Sequence, residues 1–132
     1  MKRVTGLGGV FLKCGDNKAM LEWYGRHLGL DTQDWGAVFR WREDGNTDEV
    51  GYTVWSPFPG DSDYFAPSEH KCMLNFRVDD LEALVAVLRE EGVEIVGEIK
   101  QEPNGKFAWI VDPEGMKVEL WEPVPSAEDP YL

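Results

Sequence analysis

The stretch Val10-Phe11-Leu12-Lys13-Cys14-Gly15-Asp16 returns 64 positions later as Leu74-Asn75-Phe76-Arg77-Val78-Asp79-Asp80. In both places an apolar alternation runs into an aspartate that can cap a helix. A second pair closes each copy. Thr53-Val54-Trp55-Ser56-Pro57-Phe58-Pro59 matches Glu119-Leu120-Trp121-Glu122-Pro123-Val124-Pro125 at an offset of 66, sharing the pattern aliphatic-Trp-x-Pro-x-Pro. Two copies of one unit therefore fill a single domain of 132 residues, over 5–60 and 70–124. A polar, turn-rich stretch at 60–69 joins them, and a tail follows at 125–132.

Each copy reads as a strand, a helix and three strands. Val10, Leu12 and Cys14 alternate with Gly9, Phe11 and Lys13, the period-2 signature of a strand with two unlike faces. Asp16 is a good N-cap, Met20, Trp23, Tyr24, His27 and Leu28 recur at helical spacing, and Gly29 supplies the stop. Strands are expected at 30–35, 37–42 and 50–55, the last two joined by Asp44-Gly45-Asn46. In the second copy a strand at 72–78 leads into a helix carrying Leu81, Leu84, Val85 and Leu88. Asp79 with Glu82 gives a capping-box-like start and Gly92 a close. Strands at 94–100, 106–111 and 116–122 complete it. Val10, Leu12, Trp23, Tyr24, Leu74, Phe76, Leu84 and Leu88 are the expected core between helices and sheet. Parity then sends Gly9, Phe11, Lys13, Met73, Asn75 and Arg77 to the other face, together with Thr53, Trp55, Glu119 and Trp121.

Thirteen Lys plus Arg against 25 Asp plus Glu give a net charge of −12, which excludes an electrostatic nucleic-acid binder because phosphate neutralisation needs a basic face. The excess is concentrated in the second half, where residues 67–132 carry 6 basic and 15 acidic side chains. Such a balance gives a solvated surface and also suits a cationic ligand. The longest apolar run, at 83–88, is far short of the ~20 residues of a spanning helix, so no membrane partner is expected. The first 12 residues imitate a secretory signal only faintly, three glycines diluting them and Lys13 ending them, and a cytoplasmic protein is expected. Cys14 and Cys72 lie in strand-like segments without ligand spacing and read as buried free thiols.

Two tandem βαβββ modules, Asp-x(6)-Trp-Tyr-x(3)-Leu-Gly-Leu from Asp16 and Asp-Pro-Glu-Gly-Met-Lys-Val-Glu-Leu-Trp-Glu-Pro from Asp112, resemble the vicinal oxygen chelate superfamily. That superfamily includes glyoxalase I, extradiol dioxygenases and the fosfomycin and bleomycin resistance proteins. The resemblance implies an α+β fold whose modules curl mixed sheets around a cavity, and a homodimer. It further implies a divalent metal held by one residue from the first strand and one from the last strand of each module. Carried over by position, these fall on Gly9, Thr53, Met73 and Glu119. Only Glu119 has a ligating side chain of the expected kind, since glycine offers none, a thioether is too soft and a neutral hydroxyl is poor. His27 and His70 do not meet the spacing, so neither metal nor other cofactor is expected.

Without a metal, the cavity face is judged by what it contains. Phe11, Trp55, Trp109 and Trp121 would line an aromatic concavity, or instead fill a small core or a subunit interface. Lys13 and Arg77 occupy equivalent repeat positions and could bind a carboxylate, enolate or phosphate, or stand as solvated charges. Asn75 on that face must bond a ligand or satisfy itself locally. Glu119 in an apolar cavity could serve as acid or base, or pair with Lys117, Lys13 or Arg77. Two functions remain open. One is a small-molecule-binding protein of the resistance kind, with its ligand bounded by Phe11, Lys13, Trp55, Asn75, Arg77 and Glu119. The other is a glyoxalase-like lyase, isomerase or dioxygenase acting on a small carbonyl, hydroxy-acid or aromatic compound through Glu119 or an atypical metal.

Overall fold

The computed structural model describes residues 2–132. Strand β1 (Val4–Cys14) leads into helix α1 (Asn17–Leu28), where the Asp16 carboxylate accepts the Ala19 N–H at 3.0 Å. Gly29 ends α1 in the left-handed region at φ 71°, where a side chain would be strained. Strands β2 (Ala37–Arg42) and β3 (Val50–Pro59) complete the first copy. The second contains β4 (Cys72–Val78), α2 (Leu81–Glu90), β5 (Glu94–Ile95), β6 (Lys100–Glu102), β7 (Gly105–Val111) and β8 (Lys117–Pro123).

Three local expectations are corrected. Residues 30–35 form no strand, only the edge of a Gln33–Gly36 bridge, because Asp31-Thr32-Gln33-Asp34 offers no apolar face to bury. The strand expected at 94–100 is split into β5 and β6 around Gly97, whose φ of 72° breaks the ladder. The cap of α2 is Asp80, not Asp79. Its carboxylate accepts the Ala83 N–H at 3.1 Å, which leaves Glu82 one position short of a capping box.

The strands form one curved mixed sheet in the order β2-β3-β1-β4-β8-β7-β5, with β6 on β7. β1 is parallel to β3 and β4 to β8, while β1 and β4 run antiparallel with Val10 opposite Leu74. Those two residues are counterparts in the repeat, so the pseudo-twofold axis passes through their pair. The α+β class holds, with both copies joined in one sheet; the first carries two strands after its helix where three were expected, and the second carries four, β5 to β8. Left unpaired, the β1 and β4 edges would expose two rows of N–H and C=O groups.

Both helices cover one face. Tyr24 of α1 stacks on Trp55 with ring centroids 4.4 Å apart, and the register carries that face from Trp55 through Val10 and Leu74 to Val118. Val118 packs with Leu81, Leu84 and Val85 of α2. A second cluster of Phe11, Phe65, Met73 and Trp109 occupies the opposite face. Of the expected core, Leu84 is fully buried, while Val10, Leu12, Tyr24, Leu74, Phe76 and Leu88 are half-buried. Trp23 is 50 % exposed, against expectation, because Leu21 is the α1 residue turned fully inward and Trp23 lies on the surface against Tyr24 and His27. Cys14 and Cys72 are free but only half-buried. No helix among the described residues is long and apolar enough to cross a membrane.

The cap assignment is open to direct measurement. Replacing a capping aspartate by alanine typically costs about 1 kcal/mol. Asp80→Ala should lower the urea-unfolding free energy by about that amount, and Asp79→Ala should leave it within ~0.5 kcal/mol of the parent.

Candidate functional site

Glu119 is the centre of the face that turns away from the helices. It is 3 % exposed and stands on β8 between Asn75 of β4 and Trp109 of β7. Asn75 Nδ2 donates to one carboxylate oxygen at 2.7 Å. Trp109 Nε1 donates to the other at 2.8 Å, and the Tyr64 hydroxyl donates to that same oxygen. Three neutral donors thus satisfy both oxygens of a buried carboxylate. Asn75 can reach it only because residue 8 is glycine, since a Cβ there would collide with Asn75 Oδ1. That oxygen is buried and has no hydrogen-bond partner.

Tyr64 comes from the connecting stretch 60–69, which folds back under the sheet instead of merely joining the modules. Phe65 is fully buried against Phe58 and belongs to the cluster with Phe11, Met73 and Trp109, so it plugs the space expected to be open. Tyr64 keeps 38 % of its surface exposed but turns its hydroxyl inward. Burial first, then the Glu119 charge, push its phenol well above the ordinary range, and it remains a donor. Lys117 is 8 % exposed, donates from Nζ to the Tyr64 carbonyl at 2.7 Å and lies over the Tyr64 and Trp109 rings. Burial pulls its ammonium below the ordinary value, and Glu119 opposes that pull.

The expected ligand-binding residues do not surround one pocket. Trp55 is on the helix face, with Tyr24. The parity that placed it with Glu119 assumed an offset of 66, whereas Phe11 pairs with Ser56 and Asn75 with Glu119. Ser56, 63 positions before Glu119, is therefore its counterpart, and the odd difference between the offsets reverses the faces. Thr53 leaves the set for the same reason, its hydroxyl donating to the Leu7 carbonyl at 2.7 Å. Beyond Trp55 the β2 side of β3 is unpaired, which is where Pro57 and Pro59 are tolerated. Phe11 fills the core, and Trp121 stacks on Phe107 while donating from Nε1 to the Asn104 carbonyl at 2.9 Å. Lys13 lies over the Phe65 ring at 5.3 Å. Arg77 stands at the far end of β4, its guanidinium 4.8 Å from the Trp121 ring and 5.0 Å from Trp41.

With the middle filled, space remains at two ends. A cavity of about 290 Å³ opens beside Tyr64, Lys100, Trp109 and Lys117. A larger one, about 700 Å³, opens beside Trp41 and Arg77. The residues at the family's metal positions do not fit a metal. Gly9, Met73 and the hydroxyl at Thr53, or at its register replacement Ser56, offer no hard anionic ligand, and the Ser56 hydroxyl is bonded to the Trp35 carbonyl. Both Glu119 oxygens already accept from organic donors. Among the described residues no three His, Cys, Asp or Glu side chains gather elsewhere in ligating positions.

Tyr64, Phe65 and Lys117 complete the Glu119 environment, and sequence reasoning left Tyr64 and Phe65 out of it. Their only signal is an adjacent aromatic pair inside an otherwise polar stretch. Tyr52, with its hydroxyl 2.8 Å from Asp129 of the tail, was likewise unmarked. Tyr64→Phe should cost about 1 to 3 kcal/mol at neutral pH by removing a donor from a buried carboxylate. The folded phenol stays protonated above its ordinary value of 10.0, so its contribution is complete below that pH and is lost as pH rises beyond it. Urea unfolding should show the gap between parent and Tyr64→Phe narrowing above pH ~10, and a gap that does not change with pH would contradict the assignment.

Among solved structures, methylmalonyl-CoA epimerase from Mycobacterium tuberculosis is similar at 25 % identity and a TM-score of 0.61, covering 94 % of this chain and 91 % of its own. A Streptomyces coelicolor methylmalonyl-CoA epimerase variant in complex with 2-nitronate-propionyl-CoA shares the fold at 17 % identity and a TM-score of 0.68, over 96 % of this chain and 98 % of its own. The Mn(II)-bound glyoxalase from Novosphingobium aromaticivorans shares it at 19 % identity and a TM-score of 0.57, over 92 % of this chain and 40 % of its own. No curated protein sequence is a significant match. The sequence profile of the Glyoxalase/Bleomycin resistance protein/Dioxygenase superfamily matches residues 6–120, and the chain belongs to that superfamily.

Proposed function

We propose that this chain is a small-molecule-binding member of the superfamily that works without a metal at the Glu119 position. One observation carries the reading: the carboxylate that would be the surviving ligand has both oxygens committed to Asn75, Trp109 and Tyr64. A metal there would have to displace two or three hydrogen bonds and would find Gly9, Ser56 or Thr53, and Met73 as its remaining partners. The two end cavities, one with Lys117 and one with Arg77 in its lining, supply the concave space and the convergent polar groups that a ligand needs. The reading includes a homodimer, as the family resemblance implies, and a cytoplasmic location.

A second reading has Glu119 acting as acid or base on a bound carbonyl or hydroxy-acid compound. The Tyr64 hydroxyl favours it, since it bonds the carboxylate directly while lining the cavity of about 290 Å³. A proton could pass between a ligand in that cavity and Glu119 through the phenol.

A thermal-shift screen of small metabolites, run in parallel with EDTA and with Mn²⁺ or Zn²⁺, separates these cases. The expected hit raises Tm equally in both series and is untouched by metal, a ligand at ~100 times its Kd adding about 2.7 kcal/mol. Stoichiometric metal in the purified protein, lost in Glu119→Gln, would overturn the metal-free reading. Turnover of a hit that vanishes in both Glu119→Gln and Tyr64→Phe would establish the second.

A further inference from the structure

The cavity of about 700 Å³ has a cation in its depth and acids around it. Arg77 is 5 % exposed, makes no ion pair among the described residues, and has a buried Nη1 with no hydrogen-bond partner. The rings of Trp41, Tyr52 and Trp121 stand 5.0, 5.9 and 4.8 Å from its guanidinium carbon. Rings hold a guanidinium plane but give its N–H groups no strong acceptor. Trp41 reaches this place because residue 51 is glycine, where a Cβ would collide with the indole. The group is thus built into the fold, desolvated, and one acceptor short.

The surroundings restrict what that acceptor can belong to. Five acidic residues line the cavity against three basic ones. Glu49 accepts the Ser126 N–H at 2.8 Å and Glu122 accepts the Leu81 N–H at 2.9 Å with Lys106 3.9 Å away, so both carboxylates are held in place at the wall. Glu43 makes no ion pair among the described residues and is the acid with the largest electrostatic effect on Arg77. A plain anion would be repelled by this wall before reaching Arg77. A plain cation would answer the wall and leave Nη1 unmet. A molecule carrying both charges meets both requirements.

We propose that this cavity binds a zwitterionic small molecule, its carboxylate taken by Arg77 and its ammonium group set against Glu43 and the acidic wall. The proposal rests on the small-molecule reading above and names the ligand class and the end of the sheet that receives it. It needs no participation by Glu119.

The test uses β-alanine with its single-charge counterparts propionate and propylamine, titrated into the intact protein at low salt and neutral pH. Trp41 and Trp121 flank Arg77, so tryptophan fluorescence reports binding. β-Alanine should bind about tenfold more tightly than either counterpart, as one added charge-assisted contact gives. Arg77→Met should erase its advantage over propylamine, and Glu43→Gln its advantage over propionate. Should Arg77→Met fail to fold, the Nε–Hε resonance of Arg77 in the parent protein decides: a shift on adding β-alanine but not propylamine supports the site, and no shift overturns it. β-Alanine binding no better than propionate or propylamine, or indifferent to both substitutions, also overturns it. Those outcomes leave the small-molecule reading standing, because it is judged by the screen and the metal measurement.

Discussion

A carboxylate placed 3 % exposed in the middle of a sheet has to be given donors, and the architecture of one whole face follows from the donors Glu119 receives. Asn75 reaches it from the neighbouring strand only across Gly8. Trp109 turns its ring edge inward, which makes it a wall of the second cluster as well as a donor. Tyr64 is drawn in from the connecting stretch and brings Phe65 with it, and Phe65 fills the middle of the concavity. Lys117 is then held by the Tyr64 carbonyl instead of by an acid. Remove the buried charge and each of these placements loses its reason.

Much of the fold was legible because the repeat is written twice. The β1 and β4 segments align without a gap, and their equivalence is visible in the pairing of Val10 with Leu74. The failure at Trp55 has a definite cause. The resemblance of Trp-Ser-Pro-Phe-Pro to Trp-Glu-Pro-Val-Pro is real in letters but three residues out of register in space. On a strand an odd slip exchanges the two faces, so one misjudged alignment moved both Trp55 and Thr53 to the wrong side. Asn75, Arg77 and Glu119 do share a face, as the alternation along each strand implies, with Asn75 opposite Glu119 in the register.

What stayed hidden was carried by segments without periodicity. The stretch 60–69 is polar by composition, and nothing in its local pattern says that Tyr64 and Phe65 turn under the sheet. The tail behaves similarly. A short 3-10 turn at Ser126–Glu128 sets Asp129 against the Tyr52 hydroxyl, and Tyr131 against Trp35. Both contacts depend on partners far away in the chain, which one-dimensional periodicity does not register.

The axis through Val10 and Leu74 relates Lys13 to Arg77, so the two cations mark opposite mouths of a duplicated trough. In an assembly of two identical half-length chains, any residue that blocked one mouth would block the other. Fusion into one polypeptide lifts that restriction, because the linker between the copies exists only once. Here its single Phe65 lies under Lys13, while a cavity of about 700 Å³ opens before Arg77. The two ends of the trough are therefore free to differ in shape, which exact twofold symmetry would forbid.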